Sequence, residues 1–355
     1  MELLPGVRSV TTDTDRLRMH HIESGPADGE PLVLVQGNMS SGRFYEHLLP
    51  DLPDRYRVIA PDMRGFGDTE RVPLDATRGL ADWADDIAAL LQALGIDRPP
   101  HLAGWSTGGG AIARYALDGR PVASLTLIDP VSPYGFGATH PDGTPWYPDF
   151  AGSGAGLMPP ELVQRLAAGD RSAESPLSPR NLLDTFWGAA APADPDRREG
   201  LLDELLKLWV SEDNFPGDAT PSQNWPGVAP GTRGILNALS PKYCRWAEIT
   251  DLEVKPPVLW VHGGLDAVVS NASGMDAAVL GAAGLVPGWP GEQTCPSQPM
   301  VDQIRNVLDA YSRAGGMVRT EWFDEAHHLP IFEGRERYLA VFTEFLASAS
   351  ARVSR

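Results

Sequence analysis

The chain has 355 residues, 42% of them hydrophobic and 21% charged, enough for one large α/β domain with an insertion and too apolar for global disorder. Its net charge of −18, spread along the chain, repels phosphate backbones and anionic membranes and makes nucleic acid and membrane surfaces poor partners. Two cysteines, Cys244 and Cys295, are too few for a disulfide framework and show no metal-ligand spacing. No run reaches the roughly 18 apolar residues of a membrane span, and the first residues lack a basic n-region before an apolar stretch. A cytoplasmic protein is therefore expected, with a homo-oligomer left open.

In chain order, Ser9–Thr12 and Leu17–Ile22 fit an opening antiparallel hairpin. The runs 32–35, 57–60, 101–103, 125–128 and 258–261 are short and almost continuously apolar, as in strands covered on both faces. Amphipathic stretches lie between them, such as Leu80 to Leu94 with Trp83, Ile87, Leu90, Leu91 and Leu94 on one face. Thr320–Phe323 reads as the last strand and Ile331 to Ala347 as the last helix. The alternation predicts a mostly parallel, doubly wound α/β sheet. From Pro133 to Cys244 no strand-like run occurs, and helical patterns rich in Leu, Phe and Trp predict a helical insertion. A second irregular stretch, Asn271 to Met300, reads either as a lid or pocket wall or as a plain surface excursion.

The chemistry concentrates at Gly104-Trp105-Ser106-Thr107-Gly108-Gly109, between a predicted strand and a predicted helix. A sharp strand-to-helix turn needs small residues, and it lifts the serine hydroxyl to the carboxyl edge of the sheet. A serine nucleophile needs a base, and the base needs an orienting acid. His328, in the loop after the last strand, reaches the same edge, as does Asp266 after the strand 258–261. Asp129, after the strand 125–128, is the competing carboxylate, and His327 is the competing histidine. The pattern gives Ser106 as nucleophile, His328 as base and Asp266 as acid, in that order along the chain.

Across nearly its whole length the chain resembles the capped α/β-hydrolases, the branch of esterases, cofactor-free haloperoxidases and epoxide hydrolases. The resemblance rests on the Ser106 turn with Ala113-Arg114-Tyr115 after it, on Pro61-Asp62-Met63-Arg64-Gly65-Phe66-Gly67, and on His328 with Glu333 five residues later. It implies an α/β-hydrolase core over 1–132 and 245–355, a helical cap over 133–244 and a lid-like insertion over 271–300. It also implies an oxyanion hole from the backbone N–H groups of Asn38 and Thr107. Two departures stand out. Gln36-Gly37 replaces the family's His-Gly after the third strand, and 62 residues separate Asp266 from His328, about twice the usual gap.

The expected function is a serine hydrolase of a carboxylic ester or lactone, with no metal and no organic cofactor. A carbon–carbon bond hydrolase and a cofactor-free perhydrolase would use the same triad, and a binding protein on a hydrolase scaffold is the non-catalytic alternative. Relatives that open epoxides or remove halide carry aspartate in place of the serine, so Ser106 argues against both activities. The two irregular segments leave the edge that carries Ser106, where open α/β sheets bind ligands. They are expected to meet over it in a mostly apolar pocket suited to moderately bulky esters, with Trp105, Met39, Trp146 and Trp187 as candidate walls. Trp105 reads equally well as a packing residue.

Overall fold

Each apolar run becomes a strand of one eight-stranded sheet in the computed structural model, which describes residues 2–187 and 194–353. The first six strands are β1 (Arg8–Asp13), β2 (Arg18–Ser24), β3 (Glu30–Val35), β4 (Tyr56–Pro61), β5 (His101–Trp105) and β6 (Ser124–Ile128). After the 133–244 insertion come β11 (Val258–Gly263) and β12 (Val318–Phe323), and the sheet order is β1-β2-β4-β3-β5-β6-β11-β12. The opening hairpin pairs Ser9 with Ile22, and β2 lies antiparallel to β4; from β4 onward every pairing is parallel. Helices α1 (Ala81–Ala93) and α2 (Thr107–Leu117) cover the sheet together with α8 (Met300–Arg313) and α10 (Arg335–Val353). Leu32–Val35, Leu102, Leu125, Leu127 and Val258–Val261 are all buried, which is why their sequence runs do not alternate.

Between β6 and β11 lie the helices α3 (Pro160–Ala167), α4 (Pro179–Trp187), α5 (Pro195–Leu206) and α6 (Ile235–Ala238). The expectation that 133–244 lacks strands is corrected by four short ones. A parallel pair joins β7 (Val210–Ser211) to β8 (Phe215–Pro216), and an antiparallel pair joins β9 (Ala219–Pro221) to β10 (Val228–Pro230). Two or three residues are too few to make an apolar run, and Pro216, Pro221 and Pro230 offer no N–H to a longer ladder. Residues of this insertion such as Leu162, Leu201, Leu205 and Phe215 belong to the same hydrophobic cluster as the sheet.

The stretch 271–300 contains α7 (Ala277–Ala282) and otherwise irregular backbone. It meets the 133–244 insertion in a second, smaller cluster of Ala138, Trp146, Ala277, Ala278 and Cys295, flanked by Trp225 and Trp289. Its tail grips the loop that leaves β6. Gln298 accepts the Gly137 N–H at 2.6 Å and donates to the Gly135 carbonyl, while Gln303 accepts the Ser132 hydroxyl and donates to Thr139. The cysteines are free, and Cys244 sits in the main cluster, apart from Cys295 in the small one. Among the described residues no helix is long and apolar enough to cross a membrane.

Candidate active site

Ser106 joins β5 to α2 with φ 53° and ψ −116°, a left-handed conformation that costs a non-glycine residue about 1–3 kcal/mol. Surrounding bonds impose it. The Ser106 N–H donates to the Ile128 carbonyl, and the Ser106 carbonyl accepts from the Gly109 and Val131 N–H groups. The turn closes because its neighbours lack side chains: a Cβ on Gly104 would lie 2.3 Å from the Gly108 carbonyl oxygen, and one on Gly108 2.3 Å from that of Val35. Thr107 is the first residue of α2, so its N–H has no partner four residues back in the helix and points out with the positive end of the helix dipole.

Facing this turn, β3 runs out into Gln36-Gly37-Asn38-Met39. Gln36 is fully buried; its amide donates to the Ser40 carbonyl at 2.6 Å and accepts the Met63 N–H. A neutral amide thus braces the loop where the resembled family has histidine. Met39 has φ 56°, and its N–H is taken by the Asn38 side chain at 2.9 Å. The Asn38 side-chain oxygen is therefore turned onto the backbone of the next residue.

Past β11 the chain turns through Gly263-Gly264-Leu265 into Asp266. Its Oδ1 accepts the N–H groups of Val268 and Val269, and its Oδ2 accepts from His328 Nδ1 at 2.8 Å. Both residues are buried. Burial opposes ionisation of Asp266, but the facing His328 and these donors outweigh it and hold its pKa below the usual carboxylate range. The His328 carbonyl accepts the Trp105 indole N–H at 2.7 Å, and the two rings are 5.3 Å apart. The residue before Ser106 is thereby fastened to the backbone of His328. His327 is used differently: Glu333 takes both its Nδ1, at 2.7 Å, and its backbone N–H.

A family model described as alpha/beta hydrolase fold matches residues 30–280, more than half of the chain. The chain belongs to the α/β-hydrolase family. It is 36% identical over 129 residues to a cis-3-alkyl-4-alkyloxetan-2-one decarboxylase of Xanthomonas campestris pv. campestris, covering 33% of this chain and 43% of the relative. It is also 36% identical over 138 residues to a non-heme chloroperoxidase of Streptomyces lividans, covering 38% and 49%. The chain thus spans less than half the length of these relatives. Among solved structures, a putative aryl esterase from Burkholderia cenocepacia superposes with a TM-score of 0.61 at 18% identity, over 98% of this chain and 100% of the other. A meta-cleavage product hydrolase from Pseudomonas fluorescens gives 0.54 at 19% identity, over 96% and 98%.

As an α/β-hydrolase, the chain sets Ser106, Asp266 and His328 at the carboxyl edge of β5, β11 and β12. Trp105 is 1% exposed, stacked 6.1 Å from Phe44 and covered by Gly37, so its ring packs behind the serine turn. Trp146 stands 5.9 Å from Trp225 in the junction between the 133–244 insertion and 271–300. Trp187 ends α4, and its side chain lies outside the described residues. Among the described residues, two groups could offer three ligand atoms to a metal within 4.8 Å, His20 with Asp62 and Asp68, and Asp129 with Asp266 and His328. In the first, Asp62 is already occupied by His20 Nδ1 and by the N–H groups of Gly42 and Asp68.

Sequence reasoning missed the bracing by Gln36 and the bond from Glu333 to His327. Both positions were visible, one as a departure from a family motif and one as a spacing, but their partners depend on loop geometry. Asp62 and Arg64 prove to be anchors: Arg64 binds Asp86 through Nε at 2.6 Å and through Nη2 at 2.7 Å.

Proposed function

We propose that this chain is a serine hydrolase that cleaves a carboxylic ester or lactone through an acyl-enzyme. The carrying observation is the buried Asp266–His328 pair, fastened through the Trp105 indole to the residue next to the strained Ser106. In this reading Ser106 Oγ attacks the carbonyl carbon while His328 Nε2 takes its proton. Asp266, on Nδ1, fixes the tautomer that leaves Nε2 free to accept and stabilises the imidazolium that forms. The Asn38 and Thr107 N–H groups receive the oxyanion. His328 then returns the proton to the leaving alkoxide and activates the water that releases the acid. An ester or lactone carbonyl suits this set, since the chemistry asks for one proton shuttle and one oxyanion site. The Xanthomonas relative's name supports only the lactone as a substrate class, since an oxetan-2-one is a four-membered lactone but the reaction named is a decarboxylation.

Turnover of p-nitrophenyl acetate and butyrate tests the reading. Ser106→Ala should lose at least about a hundredfold in kcat with an unchanged thermal midpoint. A folded variant that keeps more than about a hundredth of the rate would remove Ser106 from the role.

A further inference from the structure

The proposed mechanism leaves one buried acid unused. Asp129 directly follows β6, the strand between those that deliver Ser106 and Asp266, and it has no exposed surface. Its backbone is held at φ 39°, a strained conformation for aspartate, with its N–H on the Val261 carbonyl of β11. Its Oδ1 accepts the Gly263 N–H at 2.8 Å and lies 3.0 Å from His262 Nδ1, while its Oδ2 is buried with no hydrogen-bond partner. A carboxyl oxygen of Asp129, one of Asp266 and a ring nitrogen of His328 all lie within 4.8 Å of one another.

Two buried carboxyls this close do not both ionise, so the pair retains a proton. Donor placement decides where it sits. Asp266 accepts two backbone N–H groups and the His328 imidazole, whereas Asp129 accepts the Gly263 N–H alone. The better-solvated anion is Asp266, and the proton belongs on Asp129. We infer that Asp129 is a neutral carboxylic acid whose O–H donates to Asp266, making it a positioning residue that holds the Asp266 carboxylate on His328. This rests on the Ser106–His328–Asp266 reading above.

The groups facing Asp129 agree. Burial raises its pKa well above the carboxylate range, and the negative charges of Asp266 and Glu333 push the same way, with only the Gly263 N–H opposing. His262 would stabilise an Asp129 anion if it were charged, but burial lowers its pKa to about 4 and leaves it neutral at neutral pH.

Asp129→Asn and Asp129→Val separate donor from acid. The asparagine can keep the Gly263 N–H on its carbonyl and donate to Asp266 through its amide, whereas valine fills similar space with no donor. On p-nitrophenyl butyrate, Asp129→Asn should stay within about threefold of wild type in kcat. Asp129→Val should lose about tenfold or more in kcat with KM within about twofold, the size expected for one hydrogen bond to a charged group. Its acidic limb should move to higher pH, because Asp266 without that donor takes up a proton sooner. The infrared difference spectrum between wild type and Asp129→Asn at neutral pH should show loss of a protonated carboxyl band, a readout that needs neither turnover nor the valine variant to fold. Loss of a carboxylate band instead, an Asp129→Asn variant as inactive as Asp266→Asn, or equal kinetics for the asparagine and valine variants would overturn the inference. Fluorophosphonate labelling of the wild type is run alongside. If Ser106 is not labelled, the reading of the triad fails, and the infrared result alone then decides the state of Asp129, with the carboxylate band refuting it.

Discussion

At the scale of single residues, two neighbouring histidines divide two tasks. His327 is tied to Glu333 through ring and backbone, and His328 is tied to Asp266. Replacing His328 by alanine should therefore remove at least about three orders of magnitude in kcat, while His327→Ala should keep most of the rate and lose some thermal stability. The opposite ranking in steady-state assays would move the base by one position. Asp266→Asn should also be severe, because an amide on Nδ1 favours the wrong imidazole tautomer. The placing of Ser106, His328 and Asp266 at one sheet edge was legible because a strand-turn-helix motif and two strand ends locate them. The partner of Glu333 was not. Its spacing marks the right loop, but α9 (Pro330–Glu333) folds back so that the carboxylate meets the preceding histidine. The approach of Asp129 to Asp266 was equally hidden, since it depends on β6 and β11 being neighbours and on a positive φ.

At the scale of elements, strands with continuous apolar runs were readable, and the β7–β10 strands were too short to leave a pattern. The junction of the 133–244 insertion with 271–300 was legible only as two segments leaving one edge. Beside the small apolar cluster a polar network joins them: Gln298 holds Gly135 and Gly137, donates to Gln303, and gives its own backbone N–H to Asp276, the N-cap of α7. A buried amide network of this kind has no hydrophobic signature in sequence. Gln298→Ala should orphan the buried Gly137 N–H and cost about 1–3 kcal/mol in denaturant unfolding. A loss below about 0.5 kcal/mol would mean the network relaxes around the gap. The serine turn should be less forgiving, since Gly108→Ala would press a methyl into the Val35 and Gln36 carbonyls. That variant should fail to accumulate as folded protein, as an expression and circular dichroism trial would show.

For the whole molecule, the balance of buried histidines sets the response to acid. Burial is the largest cause lowering His21, His101 and His262 to about 4 and His47 to about 3. Each folded value lies below the ordinary value near 6.5, so between these limits the folded state binds fewer protons than the unfolded chain. Their stability is fully present above about pH 6.5 and is lost as pH falls toward about 4, at up to about 1.4 kcal/mol per proton per pH unit. His20 opposes this. Although burial works against its charge, Asp62 raises its pKa overall, so its contribution is present at low pH and is lost as pH rises. Four histidines stand against His20 and Asp129, whose retained proton also favours the folded state as pH falls, so a net drop in unfolding free energy is predicted between about pH 7 and about pH 5. A flat profile in urea titrations at the two pH values would contradict it.

The measurement that bears most directly on the whole account is covalent labelling with a fluorophosphonate, followed by intact mass and peptide mapping. The account predicts one adduct per chain, located on Ser106, absent from Ser106→Ala and slowed strongly in His328→Ala. An adduct on another serine, or a chain that stays unlabelled while folded, would contradict it.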